Sequence, residues 1–418
     1  MSLVRTSLLS ALQTGTKILA GFAVVKVVAL AAGPEGMAQL GQFQNVLTLC
    51  VMLAGGMLGT GLTRLLAEHQ AGPERLAISH ATFRLTLQLS LLLAILLLLA
   101  APLLAREVLH DAGLLPLALL LPVFVCSGAL VTLWLALLNG CGRIVEMTRV
   151  SMAGSLLMLA CTLPLALLWQ KAGAFLAVAL PSLIVVAHVA WRQGRGTFRR
   201  MLATPVQPAH RALLWRYAGM ALVSAVAAPV AQMVVRDYLT ARLSLHEAGI
   251  WQGVTRISEV YLVFLTSSLS VYFLPRLAQV DGRSELRALL RQVLRFVMPA
   301  ALLLGVSVYL LRDVLIWLLF SEAFTAMRSL FAWQLVGDLV KITAWVLAYV
   351  VLARGSARAF VAGEVIFNAS YALLVIALVP AMGLQGAMLA YGLNYLMYLA
   401  YVALLTRRIS LAMDKTDV

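Results

Sequence analysis

Charge is scarce in this sequence: Asp, Glu, Lys and Arg make up 12% of its 418 residues, where a soluble domain carries about 25%. A surface so poor in charge excludes a water-soluble fold. Acidic residues are the scarcer sign, 17 against 32 basic ones, for a net charge of +15. In a soluble protein that balance would raise the question of nucleic acid, but in a chain this apolar the expected partner is membrane phosphate and no nucleic acid is expected. Only four cysteines are present, Cys50, Cys126, Cys141 and Cys161, with no Cys-x-x-Cys pair and no metal-ligand spacing. They fall in or beside apolar runs and read as small packing residues. Neither His-Glu-x-x-His nor Gly-x-Ser-x-Gly occurs, and there is no glycine-rich phosphate loop or Walker motif. Catalytic residues, a metal, a cofactor and direct ATP drive are therefore not expected, and the chain does not read as an enzyme. Of six histidines, His69, His80, His110, His210 and His246 lie in loops or at helix ends, and His188 lies near an interface.

What is abundant is apolar sequence, 62% of the chain. About 20 apolar residues make one membrane crossing, and the stretches 85–105, 112–142, 150–170, 172–191 and 217–235 contain no Asp, Glu, Lys or Arg. The uncharged run 365–406 is broken by Pro380-Ala-Met-Gly383 and reads as two helices and a turn. Twelve spans are predicted: 8–32, 39–63, 84–105, 116–139, 148–169, 173–191, 213–238, 249–273, 292–311, 326–352, 359–379 and 384–406. No cleavable signal peptide precedes them, because the first span carries Lys17 and Lys26 and lacks an Ala-x-Ala site. With both termini cytoplasmic, 22 of the basic residues fall on that side and 6 on the other, which is the positive-inside bias of a multi-pass inner membrane protein.

The second half repeats the first. At an offset of 212, Glu35, Gly41, Arg64 and Leu65 align with Glu247, Gly253, Arg276 and Leu277. Arg106-Glu-Val-Leu109 recurs as Arg312-Asp-Val-Leu315, and Gly173-Ala-x-Leu-Ala-x-x-Leu180 recurs as Gly386-Ala-x-Leu-Ala-x-x-Leu393. Six helices per repeat leave both halves in one orientation, related by an axis along the membrane normal. The expected organisation is an N-terminal lobe (1–191), a cytoplasmic basic linker (192–212) and a C-terminal lobe (213–418), with a cavity between the lobes.

An ionisable group within a span costs at least about 2.5 to 3.5 kcal/mol on insertion scales, which makes each one a functional candidate. Lys17, Lys26, Arg256, Glu259, Asp338, Lys341 and Glu364 qualify. Arg256 with Glu259, and Asp338 with Lys341, are spaced to pair at i and i+3; Glu364 is placed to reach Arg358 or water. Lys17 and Lys26 have no acidic neighbour on their helix, and nine residues at 100° each put them on opposite faces, about 13 Å apart in depth. Arg236 falls near the repeat counterpart of Lys26. A cavity lined by Lys and Arg suits an anion or an anionic lipid, whose unassisted passage through hydrocarbon costs tens of kcal/mol in a Born estimate.

The segments Gly249-Ile-Trp-Gln-Gly-Val254, Ser270-Val-Tyr272 with Leu274-Pro275, and Phe324-Thr-Ala-Met-Arg328 followed by Phe331-Ala-Trp-Gln-Leu-Val-Gly-Asp338 carry a family resemblance. Met1-Ser-Leu3, Lys17, Lys26 and Gly33-Pro34-x-Gly36 add to it. Over nearly its whole length the chain resembles the Wzx-type polysaccharide flippases of the multidrug/oligosaccharidyl-lipid/polysaccharide exporter superfamily, in particular those serving enterobacterial common antigen. The resemblance implies an all-α, MATE-like fold and a substrate of undecaprenyl diphosphate carrying a short amino-sugar oligosaccharide with an acidic sugar. It also implies membrane lipids, and the polymerase and chain-length proteins of the same pathway, as partners. Lys17, Lys26, Arg64, Arg236, Arg256, Arg276 and Lys341 are the expected substrate-binding residues, with Glu259, Asp338 and Glu364 as coupling carboxylates. Arg256 stands where the family is expected to carry a small polar residue. The readings left open are another exporter of the superfamily, for a drug, a cation or another lipid-linked sugar, and a polytopic glycosyltransferase or polymerase acting on the same carrier.

Overall fold

The computed structural model describes residues 3–69, 72–203, 208–280, 282–354 and 357–413, and every regular element among them is helical. Residues 204–207 of the expected linker, the side chains of 193–203 and those of Ser270-Val-Tyr272 and Leu274-Pro275 lie outside the described residues. The α-helices are α1 (Leu3–Val51), α2 (Leu58–Glu68), α3 (Pro73–Leu103), α4 (Leu115–Gly140), α5 (Ile144–Ala203), α6 (Pro208–Arg242), α7 (Leu245–Gln279), α8 (Arg283–Leu310), α9 (Arg312–Leu319), α10 (Phe331–Arg354), α11 (Ala357–Met382) and α12 (Leu384–Met413).

Among the described residues nine helices are long and apolar enough to cross a membrane, against twelve spans read from the sequence. Part of the difference is continuity. Leu12–Gly56 and Ile144–Arg192 run for 45 and 49 residues, about twice what a bilayer needs. Each contains a break that helical hydrogen bonding runs past: Gly33 at φ 59°, just before Pro34, in the first, and Gln170 at φ 49° in the second. The remainder is α7, which is not among the nine and many of whose side chains lie outside the described residues.

The turn at Gln170 has a counterpart at Gly383, which takes φ 57°, 213 residues on. Three residues after each turn a glycine lies against the helix just left. A Cβ on Gly173 would fall 1.8 Å from the Leu165 carbonyl oxygen, and one on Gly386 2.6 Å from that of Leu378. The same backbone approach therefore explains why both copies of the Gly-Ala-x-Leu-Ala motif begin with glycine.

The chain divides into two compact units, residues 1–32 with 39–230, and 33–38 with 231–418. In the first, Leu58, Leu62, Leu65 and Leu66 of α2 pack with Ile78 and Leu85 of α3, Leu133 of α4 and Leu214 of α6. In the second, Phe273 and Leu277 of α7 meet Leu286, Leu289 and Val293 of α8 and Val346 and Val350 of α10. Large apolar side chains are also turned outward: Leu99, Leu167, Trp191, Phe296 and Trp317 are each at least 70% exposed. Hydrocarbon is the solvent such a surface fits.

Candidate functional site

The α6–α7 hairpin builds the first constellation. Ser244, in extended conformation, caps α7 by accepting the Glu247 N–H at 3.1 Å, which fixes where α7 starts and so where its early residues face α6. Arg236, only 2% exposed, then meets Gln252 and Trp251. Its Nε donates to Gln252 Oε1 at 3.2 Å, Nη2 donates to the same oxygen, and its guanidinium carbon lies 5.6 Å from the centroid of the buried Trp251 ring. Gly249 leaves room for the turn at residues 33–38: a Cβ there would overlap the Pro34 carbonyl, 1.8 Å away. The Gly-Ile-Trp-Gln motif thus seats a turn, a ring and an amide around one buried arginine.

The second constellation joins α7, α10 and α12. Asp338 is 1% exposed and accepts four hydrogen bonds: from Ser258 at 2.7 Å and Tyr261 to Oδ2, and from Tyr391 at 2.7 Å and Gln334 at 3.1 Å to Oδ1. Gln334 also donates to Ser258 at 3.1 Å. Gly337 permits this geometry, since a Cβ on it would come within 2.6 Å of the Tyr391 ring. All the donors are neutral. The expected Asp338–Lys341 pair does not form within 4.0 Å; the Lys341 ammonium lies instead over the rings of Trp345 at 4.9 Å, Tyr395 at 4.9 Å and Tyr391 at 5.4 Å. The physical reason is competition: hydroxyl donors from α7 and α12 and the Gln334 amide of α10 fill the carboxylate, and aromatic faces hold the cation.

The other expected pair does form, with Arg256 Nη1 3.1 Å from Glu259 Oε2. Arg64 bonds Glu68 at 2.8 Å and lies 5.0 Å from the Tyr217 ring centroid. Lys17, Arg64 and Arg276 are exposed, while Lys26 and Glu364 are partly buried. On α1 the only non-helical residue is Gly33, so Gly21 introduces no kink between Lys17 and Lys26 and their depth separation stands. Lys26 and Arg236 belong to different compact units.

Two features escaped sequence reasoning. Lys171, between the spans predicted at 148–169 and 173–191, bonds Asp111 Oδ2 at 2.5 Å and Gln39 Oε1 at 3.2 Å. Burial alone would raise the Asp111 carboxyl, but the hydrogen bonds from Lys171 and the Gly113 N–H, with the Lys171 charge, hold it below the usual carboxylate range. No local spacing announces this contact, which spans 60 residues or more. The tyrosines of α12 did leave a signal: Tyr391, Tyr395 and Tyr398 are spaced by four and three residues, one helix face, and their neighbouring ring centroids lie 4.9 and 6.4 Å apart.

The family described as polysaccharide biosynthesis protein matches residues 45–329. The lipid III flippases of Escherichia coli (strain K12) and Shigella flexneri are each 35% identical over 420 residues, covering 98% of this chain and 100% of theirs. Among solved structures, an inward-facing multidrug resistance MATE family transporter superposes with a TM-score of 0.82 at 15% identity, over 96% of each chain. The lipid II flippase MurJ in an inward closed conformation gives 0.75 at 12% identity, over 98% of this chain and 90% of that one. These two likenesses are of fold, and they agree with the all-helical architecture. The full-length identity goes further: the chain belongs to the lipid III flippase family of polysaccharide biosynthesis proteins.

Proposed function

We propose that the chain flips a polyprenyl-diphosphate-linked oligosaccharide from the cytoplasmic to the periplasmic leaflet of the inner membrane, by alternating access between two six-helix lobes. The observation that carries this is the 35% identity to lipid III flippases over 98% of the chain. Twelve crossings follow if each long helix is two spans joined at Gly33 or Gln170, and if α7 crosses with Arg256 neutralised by Glu259. The matching turns at Gln170 and Gly383 support a duplicated unit, with lobes 1–191 and 213–418 and a linker between.

Lys26 and Arg236 are assigned to the diphosphate, one from each lobe, because forked and point-like cations together suit phosphate oxygens. Lys17 and Arg256 are secondary, the latter already engaged by Glu259. Arg64 and Arg276 are assigned to the cytoplasmic rim as repeat-related cationic residues. Of the coupling carboxylates, Glu259 is spoken for by Arg256 and Glu364 is partly buried, which leaves Asp338 as the deepest. Membrane lipids and the polymerase and chain-length proteins of the same pathway are the expected partners.

The test is flipping in proteoliposomes carrying a polyprenyl-diphosphate oligosaccharide. The expected result is a protein-dependent change of leaflet with the glycan length unchanged. A changed glycan length would instead make the protein a glycosyltransferase or polymerase, and transport of organic cations without lipid movement would make it a drug exporter.

The orientation has its own test. The excess of basic residues places both termini and the segment around Arg195 in the cytoplasm. Reporter fusions after Arg195 should be active only for a cytoplasmic reporter. Activity of a periplasmic reporter there would reverse the topology and the direction assigned to each rim.

A further inference from the structure

Lys341 stands apart from the other basic candidates. Its ammonium is held by three ring faces, those of Trp345 on its own helix and Tyr391 and Tyr395 on α12, and Lys341, Trp345 and Tyr395 are all only partly buried. Among the described residues no carboxylate lies within 4.0 Å of it: Asp338, Glu259 and Glu364 act on it only at longer range. The nearest of these in sequence, Asp338, has its two oxygens taken by Ser258, Tyr261, Gln334 and Tyr391. Ring faces satisfy an ammonium's charge but accept its N–H donors poorly. A cation–π contact is worth about 0.5 to 2 kcal/mol, whereas a hydrogen bond to a charged oxygen contributes about 1.5 to 3. The Tyr395 hydroxyl is a hydrogen-bond partner for one N–H, so of three donors the arrangement steadies the lysine while leaving the others to a stronger acceptor.

We infer that Lys341, held in the box of Trp345, Tyr391 and Tyr395, binds an anionic oxygen of the transported molecule. The inference rests on the flippase reading, whose cargo can offer such an oxygen from its diphosphate or from a carboxylate on its sugars. Tyr391 has a second part, because its hydroxyl bonds Asp338 while its ring supports Lys341. The four neutral donors on Asp338 explain how an aspartate and a lysine one turn apart do not pair, which leaves the lysine with the Tyr395 hydroxyl and ring faces as neighbours rather than a carboxylate.

Binding can be read without transport, from the rise in melting temperature that a ligand of the folded state produces. The purified full-length chain would be titrated with inorganic diphosphate, with a methyl uronide and with the neutral methyl glycoside as control. In Lys341→Gln the apparent affinity for one of the two anions should fall at least about tenfold, and which one falls identifies the source of the oxygen. Lys341→Arg should keep that affinity. Trp345→Leu and Tyr395→Leu, which retain the ammonium and open the box, should each weaken the same anion, and they decide the matter should Lys341→Gln fail to fold. Unchanged affinity for both anions in Lys341→Gln, or in both box variants, would overturn the inference. A wild-type protein that binds the anion yet flips no lipid would overturn the flippase reading instead.

Discussion

Replacing Arg236 with alanine is expected to slow flipping by about tenfold to a hundredfold, the loss that follows when one or two hydrogen bonds to a charged group disappear. The burial of Arg236 carries a cost. It is 2% exposed, and burying a guanidinium in a membrane protein is unfavourable unless the surroundings hold it. Gln252 Oε1 receives two of its donors and the Trp251 ring covers a face, so an amide and a ring steady the group. Arg236→Lys keeps the charge and loses the planar fork, and should fall between wild type and alanine. Lys26→Ala should match Arg236→Ala, since a diphosphate that changes faces needs a donor on each lobe. The rate is to be measured per molecule of protein in the vesicle, because alanine at 236 also strands the Gln252 oxygen. Near-normal rates in both Arg236→Ala and Lys26→Ala would remove the clamp.

Substituting Asp338 with asparagine should abolish any dependence of flipping on a pH gradient imposed at zero potential. With one proton exchanged per lipid, a gradient of one pH unit is worth about 1.4 kcal/mol, a tenfold change in the final leaflet ratio. The wild type should show that change and Asp338→Asn none. The groups facing Asp338 set the terms. Ser258, Tyr261, Gln334 and Tyr391 all donate to it, and Lys341 stands on the next turn. Protonation therefore requires one donor to turn away, and where that donor is a hydroxyl of α7 or α12 the bond holding that helix to α10 changes, which is what would tie a proton to a change of conformation. The same network makes asparagine disruptive beyond its charge, because an amide NH2 placed among four donors leaves some without an acceptor. Tyr391→Phe, which removes one donor and keeps the carboxylate, should shift the pH dependence without erasing it. The competing drive is electrical: an anion leaving a negative interior gains about 2.3 kcal/mol per charge per 100 mV. A wild type indifferent to pH but responsive to potential would remove proton coupling and leave that route.

Much of this protein is legible along the chain, because hydrocarbon is a demanding solvent. A segment that crosses it must be apolar and helical, so the lack of charge and the run lengths declare an all-helical, multi-pass architecture locally. The recurring Gly-Ala-x-Leu-Ala motif is legible for a related reason: Gly173 and Gly386 each meet a carbonyl eight residues earlier, a constraint short enough to leave the same letters at both places. Arg256 and Glu259 pair as their spacing predicts. Asp338 and Lys341 have the same spacing and do not, and here only the tertiary structure decided. Spacing along a helix establishes which groups are able to meet, but a buried carboxylate takes whatever donors lie nearest in space. For Asp338 two come from α7, some 80 residues back, and one from α12, 53 residues on. Lys171 finds Asp111 and Gln39 in the same way. Polar groups inside a membrane protein must be satisfied by one another, and which ones meet is settled by helix packing, which periodicity along a single helix does not encode.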